Sequence, residues 1–424
     1  MTIFLSILAG LLIAGLPVAA VILLCALAIS GQSPLPVVRA LGNLTWSTST
    51  SFLLVSVPLY VMLGQILLES GVAGRMYEAI RKWLHWLPGG VMHANIGASA
   101  LFAATSGSST ATAATIGIVA LPQMEKHNYH ERTFLGTLAA GGTLGILIPP
   151  SLALILYGAL TNTSIPKLYA AALVPAALLV AMFMVLTVLS SLIFRSKEGD
   201  GGVHSLGELV RCVPDLLPPI LIFAIIVGTI YSGVATATES AAFGVLAAFL
   251  IALARGRVSA RMLGRVFEGT MVTTSMIMLI VIASFFLNWT MNAVGLAREI
   301  NGLIEQLDVN PVTLMGFIVL FYLVLGLFME SISITVMTLP IIAPIVVSAG
   351  FDPIWFGVVF VILLECALIT PPVGMNLFVV QGLRAKGTVL DVAVGALPFV
   401  LVMIALIGVL ILFPQIALYL PSLA

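Results

Sequence analysis

The segment Gly142-Thr-Leu-Gly-Ile-Leu-Ile-Pro-Pro-Ser151 places two adjacent prolines inside an apolar run, and Ile369-Thr-Pro-Pro-Val-Gly-Met-Asn376 does the same nearer the C-terminus. A proline pair removes two backbone N–H donors, so a helix cannot continue through it and the carbonyls before it lose their partners. The offset from Pro149 to Pro371 is 222 residues. The sequence therefore predicts two broken helices at matching places in two halves of the chain.

The composition places these broken helices in a membrane. Of the 424 residues, 61% are hydrophobic and 8% charged, and the mean hydropathy is +1.20, whereas soluble domains are about 45–50% apolar and about 25% charged. The 17 basic and 17 acidic residues cancel, so no basic field attracts nucleic acid. Three scattered cysteines, Cys25, Cys212 and Cys366, have no metal-binding spacing and predict no disulfide framework. We therefore predict an all-α polytopic membrane protein.

Apolar runs long enough to cross a bilayer, about 20 residues, predict the spans. Two further apolar regions, 93–121 and 313–349, carry polar centres at Ala104–Thr110 and Met329–Ile334, and we predict both to be re-entrant helical hairpins. The nine predicted spans are Ile3–Ile29, Thr50–Glu69, Arg132–Leu160, Leu168–Phe194, Pro214–Ser232, Val234–Ala254, Met271–Trp289, Pro353–Leu383 and Val392–Leu420. The first span has no basic residue before it, so we interpret it as retained rather than as a signal peptide.

The distribution of Lys and Arg gives the orientation. With a cytoplasmic N-terminus and two re-entrant hairpins, 14 basic residues lie inside and three, Arg39, Lys167 and Arg298, lie outside. Full spans in place of the hairpins would give 7 inside and 10 outside, so the positive-inside rule favours the hairpins. Gly74–Leu87 and Val294–Leu307 mix charged and apolar residues at helical spacing and predict amphipathic helices on the membrane surface. The alternative for either segment is a solvated connector.

The offset of 222 residues also aligns other positions of the two halves: Pro122 aligns with Pro344, and Ser109 with Ser331. The span at 214–232 adds one crossing between the halves, so the repeats would be inverted, as in many secondary transporters. Coincidence is the alternative, since Pro and Ser are common residues. The prediction is one membrane domain, 1–424, with a first inverted repeat at 50–194 that contains hairpin 93–121 and a second at 271–420 that contains hairpin 313–349.

Polar residues cluster at both hairpin tips and both helix breaks. Free carbonyls at membrane depth must face protein, water or an ion, and carbonyl, Ser, Thr and Asn oxygens are hard ligands suited to Na⁺. Half-helix N-termini present N–H groups to a carboxylate. The alternative is that these small residues only allow helices to pack closely. The candidate Na⁺ and substrate residues are Ser106, Gly107, Ser108, Ser109, Gly142, Thr143, Gly145, Pro149, Glu330, Ser331, Ser333, Thr370, Pro371, Gly374 and Asn376.

Three glutamates, Glu239, Glu330 and Glu365, fall inside apolar segments, where burial of a charge is costly and points to function. Glu330 belongs to a hairpin tip and is the strongest candidate. Glu239 has helix capping as an alternative, and for Glu365 a proton site and a packing role both stay open. The sequence lacks GxxxxGK[ST] and HExxH motifs, so it predicts no ATPase site and makes an intramembrane enzyme less favoured. A stand-alone ion-coupled carboxylate carrier or a channel is the nearer alternative to a subunit of a larger transporter.

Five motifs make the chain resemble the large membrane subunit of TRAP transporters, the DctM family. They are SGSSTATAATIG at Ser106–Gly117, LPQMEK at Leu121–Lys126, GTLGILIPPS at Gly142–Ser151, GVATATESAAFG at Gly233–Gly244 and ITPPVGMN at Ile369–Asn376. The resemblance covers essentially the whole chain. One departure is Ala237, which stands where a TPTE-like run of the family has proline.

The resemblance implies a permease in a bacterial or archaeal cytoplasmic membrane that imports an organic acid with Na⁺, by an elevator-like movement of the hairpins against a scaffold. Its implied partners are a small DctQ-like membrane subunit and a periplasmic DctP-like substrate-binding protein. The family's cation sites would fall on Ser106–Ser109 with Gly142–Pro150, and on Glu330–Ser333 with Thr370–Asn376. Permeases for C4-dicarboxylates, sialic acid, sugar acids and keto acids share these motifs, so the acid stays open.

Overall fold

The computed structural model describes residues 16–30, 36–127, 129–194, 205–295, 310–384 and 386–423, which form α-helices and short 3₁₀ turns, with no strand in those ranges. The helices are α1 (Val18–Ser30), α2 (Val37–Ser49), α3 (Ser56–Glu69), α4 (Val72–Leu84), α5 (Val91–Ser106), α6 (Ser109–His127), α7 (Glu131–Thr143), α8 (Leu152–Thr161), α9 (Ile165–Phe194), α10 (Leu206–Tyr231), α11 (Ala237–Ala254), α12 (Ala260–Val294), α13 (Pro311–Gly326), α14 (Ser331–Ser348), α15 (Pro353–Ile369), α16 (Met375–Gly382), α17 (Val389–Leu412) and α18 (Gln415–Leu418).

The long apolar helices confirm a polytopic membrane protein. Within the described ranges six helices, α9, α10, α11, α12, α14 and α17, are long and apolar enough to cross a membrane. The pair α3 and α4 passes the same test together but bends by 71° between its halves. Helix α14, predicted from the sequence as a hairpin leg, is therefore long enough to cross by itself. Of the first predicted span, only the part within α1 lies in the described residues.

Both proline pairs break a helix, as predicted. The run 132–160 divides into α7, a 3₁₀ turn at Leu144–Ile146 and α8, and the run 353–383 divides into α15 and α16. The bonds Pro149–Pro150 and Pro371–Pro372 are both cis. Ser151 begins α8 by accepting a hydrogen bond from Leu154 N at 3.2 Å, which supplies the partner that the first free N–H groups of a helix need.

Each predicted hairpin is a pair of helices that contact each other, α5 with α6 and α13 with α14. Gly107 turns the first hairpin with a φ of +60°, a left-handed conformation in which other residues are strained. At an offset of 222 residues, every bound of α5 to α8 falls within four residues of its counterpart in α13 to α16. The inverted relation of the two halves stays a prediction.

One surface segment differs from the sequence expectation. The connector around Arg39 is helical (α2), and Arg39, Asn43 and several hydroxyl residues lower its hydropathy below that of the predicted spans. The predicted surface helix 74–87 is present as α4, whose N-terminus follows a left-handed Gly71. Its counterpart, 294–307, lies almost entirely outside the described residues.

The helices pack as two groups. Helices α1 to α4 and α10 to α12 form the group called here the scaffold, where α1, α2 and α3 contact α12 and α11 packs on α3 and α10. Helices α5 to α9 and α13 to α18 form the hairpin group, where α7 packs on α17, α8 on α14 and α6 on α16. The groups meet mainly where α3, α4 and α10 contact α5, and where α12 contacts α14.

Candidate functional site

The first hairpin tip is a compact set of hydroxyl and carbonyl oxygens. Ser106 ends α5, Ser109 begins α6, and both side chains are buried. The hydroxyls of Ser106 and Thr112 lie 2.9 Å apart. The Thr112 hydroxyl also donates to the carbonyl of Ser108 at 2.7 Å. Three oxygens from different residues therefore converge in one place where little water reaches them.

The first helix break lies directly against this tip. A Cβ atom added to Gly145 would lie 2.5 Å from the carbonyl oxygen of Ser108 and 2.8 Å from the Thr112 hydroxyl. A Cβ at Gly107 would lie 2.9 Å from the carbonyl oxygen of Pro150. Both glycines are thus required for the backbone of the break to approach the backbone of the tip. Thr143 instead donates its hydroxyl to Ala140 O within its own helix, at 2.8 Å.

The second helix break reaches the same tip through one side chain. Asn376, in the first turn of α16, is fully buried. Its Nδ2 donates to Ser109 Oγ at 2.8 Å and to Ala139 O at 3.2 Å, and its Oδ1 accepts from the Ser109 hydroxyl at 3.2 Å. The resemblance implied a place for Asn376 beside the second tip, but the structure places it beside the first.

Glu330, at the second tip, caps α14. Its Oε1 accepts from the Ile332 N–H at 3.1 Å and the Ser331 hydroxyl at 3.2 Å. Its Oε2 accepts from the N–H and the hydroxyl of Ser333, each at 3.3 Å. A carboxylate at a helix N-terminus is favoured by the free N–H groups and the helix dipole, so the arrangement keeps a half-buried negative charge in a polar setting.

The two tips meet at one cavity of about 80 Å³, called here the tip cavity. Five of the candidates predicted from the sequence are among its lining residues: Gly107, Ser108, Ser109, Glu330 and Ser331. The other ten are not: Ser106, Gly142, Thr143, Gly145, Pro149, Ser333, Thr370, Pro371, Gly374 and Asn376. Pro371 is exposed. Residues from both tips, the first break, α8 and α15 line it: Gly107, Ser108, Ser109, Thr110, Ile146, Leu152, Ala153, Leu156, Glu330, Ser331, Ile332, Thr335, Leu364 and Leu368.

This arrangement can hold a small cation in a shell of oxygens. Hydroxyl, carbonyl and carboxylate oxygens are the ligands of hard cations, and Glu330 supplies a negative charge near them. The N-terminus of α6 also begins at the cavity, where helix N–H groups suit an anion, whereas at α14 the N–H groups of Ile332 and Ser333 already donate to Glu330. Both kinds of ligand are thus available within one small space.

Thr112 is a residue that the sequence prediction missed. It lies one helical turn after Ser109, at the spacing that places two side chains on the same face of a helix. This spacing is a signal that the sequence contains.

Two other glutamates named from the sequence are not part of the tips. Glu239 has the capping role that the sequence left open, because its Oε2 accepts from both the N–H and the hydroxyl of Thr236 at 2.8 Å. Glu365 is fully buried in α15, and neither of its oxygens has a hydrogen-bond partner within the described part of the chain.

Two hairpin tips that line one cavity, flanked by broken helices in a polytopic helical protein, define the class of secondary membrane transport proteins. The family model described as "Tripartite ATP-independent periplasmic transporter, DctM component" matches residues 5–416. The chain therefore belongs to the DctM family, the large permease subunits of TRAP transporters, and the prediction made from its motifs is confirmed.

Two relatives agree with this assignment, and one solved structure shares the fold. The chain is 33% identical to the C4-dicarboxylate TRAP transporter large permease protein DctM of Pseudomonas aeruginosa, over 91% of this chain and 90% of that one. It is 30% identical to the 2,3-diketo-L-gulonate TRAP transporter large permease protein YiaN of Escherichia coli, over 97% of each chain. The crystal structure of the Alcanivorax borkumensis YdaH transporter has the same fold, with a TM-score of 0.69 at 14% identity, covering 97% of this chain and 99% of that one.

Proposed function

We propose that this chain is the permease subunit that imports an organic acid anion together with Na⁺, by an elevator-like movement of the hairpin group against the scaffold. The observation that carries the proposal is the tip cavity, where the oxygens of both hairpin tips come together. Membership of the DctM family supports a role in transport, since the relatives named above are transporter permeases rather than enzymes.

Coupling to Na⁺ is supported by the chemistry of the first tip. The Ser106 and Thr112 hydroxyls lie 2.9 Å apart, and the Thr112 hydroxyl lies 2.7 Å from the Ser108 carbonyl oxygen. None of these groups must lose a proton before it binds a metal ion. The carboxylate of Glu330 balances part of a cation's charge at the second tip. A cation bound there would in turn favour an organic anion at the neighbouring N-terminus of α6.

The elevator-like movement is supported by the two groups of helices. Contacts across the groups include the hydrogen bond from Tyr77 of α4 to Asn95 of α5, at 2.7 Å, and that from Ser284 of α12 to the carbonyl of Val336, at 2.6 Å. Both hairpin tips belong to one group, so a movement of that group would carry the tip cavity as a unit. Secondary transporters commonly alternate access by moving one repeat or bundle against another.

Partners and location follow from the family. We propose a small DctQ-like membrane subunit, a periplasmic DctP-like binding protein that captures the acid, and a place in the cytoplasmic membrane of a bacterium or archaeon. The relatives named above carry a C4-dicarboxylate or 2,3-diketo-L-gulonate in their names, which supports an organic acid as the substrate class here.

Reconstitution in liposomes tests the proposal. We expect the chain alone to move little organic acid, and uptake to appear when the small subunit, the loaded binding protein encoded beside this chain and an inward Na⁺ gradient are all present. Collapse of the gradient should abolish uptake. Fast flux through the chain alone, with no dependence on Na⁺, would establish a channel or a stand-alone carrier and overturn the proposal.

A further inference from the structure

A second, larger cavity of about 840 Å³ lies between the scaffold and the hairpin group, and is called here the outer cavity. Its scaffold side is formed by residues within 44–54 and 236–238 with Phe285, and its other side by residues within 158–166. The orientation derived from Lys and Arg places all three of these connecting segments on the outer side of the membrane. They come from distant parts of the chain, and the fold gathers them around one space.

The polar lining of the outer cavity is made of neutral groups. No charged side chain is among its lining residues in the described part of the chain. The neutral polar residues are Ser47, Thr48, Ser51, Asn162, Thr163, Ser164, Thr236 and Thr238. Thr236 and Thr238 donate their hydroxyls to Glu239 and to Phe52 O, whereas Ser51, Asn162 and Ser164 make no side-chain hydrogen bond within the described residues and so keep their polar atoms available for a ligand.

The outer cavity and the tip cavity share α8 as a wall. Leu152, Ala153 and Leu156, in the first half of this helix, line the tip cavity, and Gly158, Ala159 and Asn162, at its end, line the outer cavity. At 1.5 Å per residue the two sets are separated by roughly 9 Å along the helix axis. A small organic molecule in the outer cavity would therefore contact the same helix as the tip cavity, less than two turns further along the chain.

We propose that the outer cavity is a binding site that receives the substrate, and that it selects acids with one carboxylate and several hydroxyl groups. The inference rests on the proposed function and adds a substrate class to it. The free Ser and Asn side chains both donate and accept hydrogen bonds, so they match substrate hydroxyl groups. Each carboxylate loses water here without meeting a positive side chain, which is unfavourable, so an acid with one carboxylate is favoured over an acid with two. The volume is within the range of small-molecule sites, about 300–1,000 Å³.

Cysteine protection tests the site. Ser51→Cys lies on the scaffold side of the outer cavity and Ser164→Cys on the hairpin side, and each replaces one atom in a half-buried or exposed position. Ser49→Cys is the matched control, because Ser49 is exposed on α2 but is not a lining residue. Each variant is labelled from the outside with a membrane-impermeant maleimide, in right-side-out vesicles that lack periplasmic proteins. The native Cys25 and Cys366 are buried.

We expect maleimide to label all three variants, and millimolar gluconate to slow labelling at positions 51 and 164 at least three-fold while leaving position 49 unchanged. Succinate at the same concentration should leave all three rates unchanged. Equal or stronger protection by succinate would overturn the substrate class, and failure of gluconate to protect, or absence of labelling at both 51 and 164, would overturn the site. Because the binding protein and a Na⁺ gradient are absent, none of these outcomes decides Na⁺-driven uptake, which the liposome experiment measures separately.

Discussion

Asn376 and Ser109 lie 267 residues apart in the sequence and are joined by two hydrogen bonds in a fully buried position. The pair connects the second helix break to the first hairpin tip, so the two halves of the chain build one site together. A third bond, from Asn376 Nδ2 to Ala139 O, ties the pair to α7. A change at the second break is therefore expected to act on the first tip.

The variant Asn376→Ala should both destabilise the protein and weaken Na⁺ binding. It leaves the Ser109 hydroxyl and the Ala139 carbonyl without their partner, and a buried polar group left unpaired costs about 1–3 kcal/mol. The melting temperature of the purified protein in detergent, with and without Na⁺, measures both effects. Asn43→Ala, at an exposed position on α2, should change neither, and an unchanged Na⁺-induced stabilisation in Asn376→Ala would contradict the link to the first tip.

The double variant Ser106→Ala with Ser109→Ala should raise the Na⁺ concentration needed for half-maximal uptake. Loss of a hydroxyl ligand or its supporting bond is worth about 1 kcal/mol, and about 1.4 kcal/mol corresponds to a tenfold change in affinity. An increase of roughly fivefold is therefore expected if one hydroxyl contributes, and of roughly thirtyfold if both do. Uptake against Na⁺ concentration in the reconstituted tripartite system measures it.

The control for that measurement is Ser49→Ala with Thr50→Ala, where both side chains are exposed at the end of α2. This pair should leave the Na⁺ response unchanged. If both double variants respond to Na⁺ like the parent protein, the hydroxyls of the first tip serve only for close packing.

Glu330 offers a test in which capping and ion binding are separated. Glu330→Gln keeps an oxygen acceptor at the start of α14 but removes the negative charge, so we expect a loss of less than about 1 kcal/mol in stability together with a weaker Na⁺ response. Glu239 is the control, since its carboxylate also stabilises a helix start, as the capping-box partner of Thr236 in α11, at an exposed position in the scaffold. Glu239→Gln should lower stability by a similar amount without a change in Na⁺ response, and equal effects of the two variants on Na⁺ would assign Glu330 a capping role alone.

Local sequence patterns predicted where helices break and where hairpins turn, but not which distant residues those segments contact. Proline pairs and polar centres in apolar runs predicted the helix breaks and the tips, because those features act on the backbone within a few residues. The meeting of Asn376 with Ser109 depends on how two distant halves pack, and no local pattern encodes it. The offset between the halves even favoured the other tip for Asn376, since it aligned each break with its own hairpin.

The outer cavity was also invisible in the sequence. Its lining comes from α2, from the end of α8 and from the start of α11, and each of these segments alone resembles an ordinary connector with small polar residues. Only the packing of the scaffold against the hairpin group brings them around one cavity. Thr112 lies within the motif Ser106–Gly117, and its helical spacing from Ser109 is a local signal.

The variant Tyr77→Phe should shift the hairpin group relative to the scaffold. Tyr77 of α4 donates to Asn95 Oδ1 at 2.7 Å, and Asn95 Nδ2 donates to Thr137 of α7 at 2.9 Å, so a buried chain of hydrogen bonds joins the two groups in this conformation. Removal of one such bond costs about 1 kcal/mol. If the groups move, the equilibrium constant between this conformation and the alternative should change by roughly fivefold in favour of the alternative.

The rate of maleimide labelling at Ser164→Cys, on the hairpin side of the outer cavity, measures the shift, and it should fall in the Tyr77→Phe background. Tyr322→Phe is the matched control, because the Tyr322 hydroxyl lies 2.8 Å from the Thr338 hydroxyl between two helices of the hairpin group. That variant breaks a buried hydrogen bond without crossing between the groups, so it should leave the labelling rate unchanged. Equal rates in the Tyr77→Phe, Tyr322→Phe and parent backgrounds would show that the Tyr77–Asn95 bond does not hold the hairpin group in place, and would remove this support for an elevator-like movement.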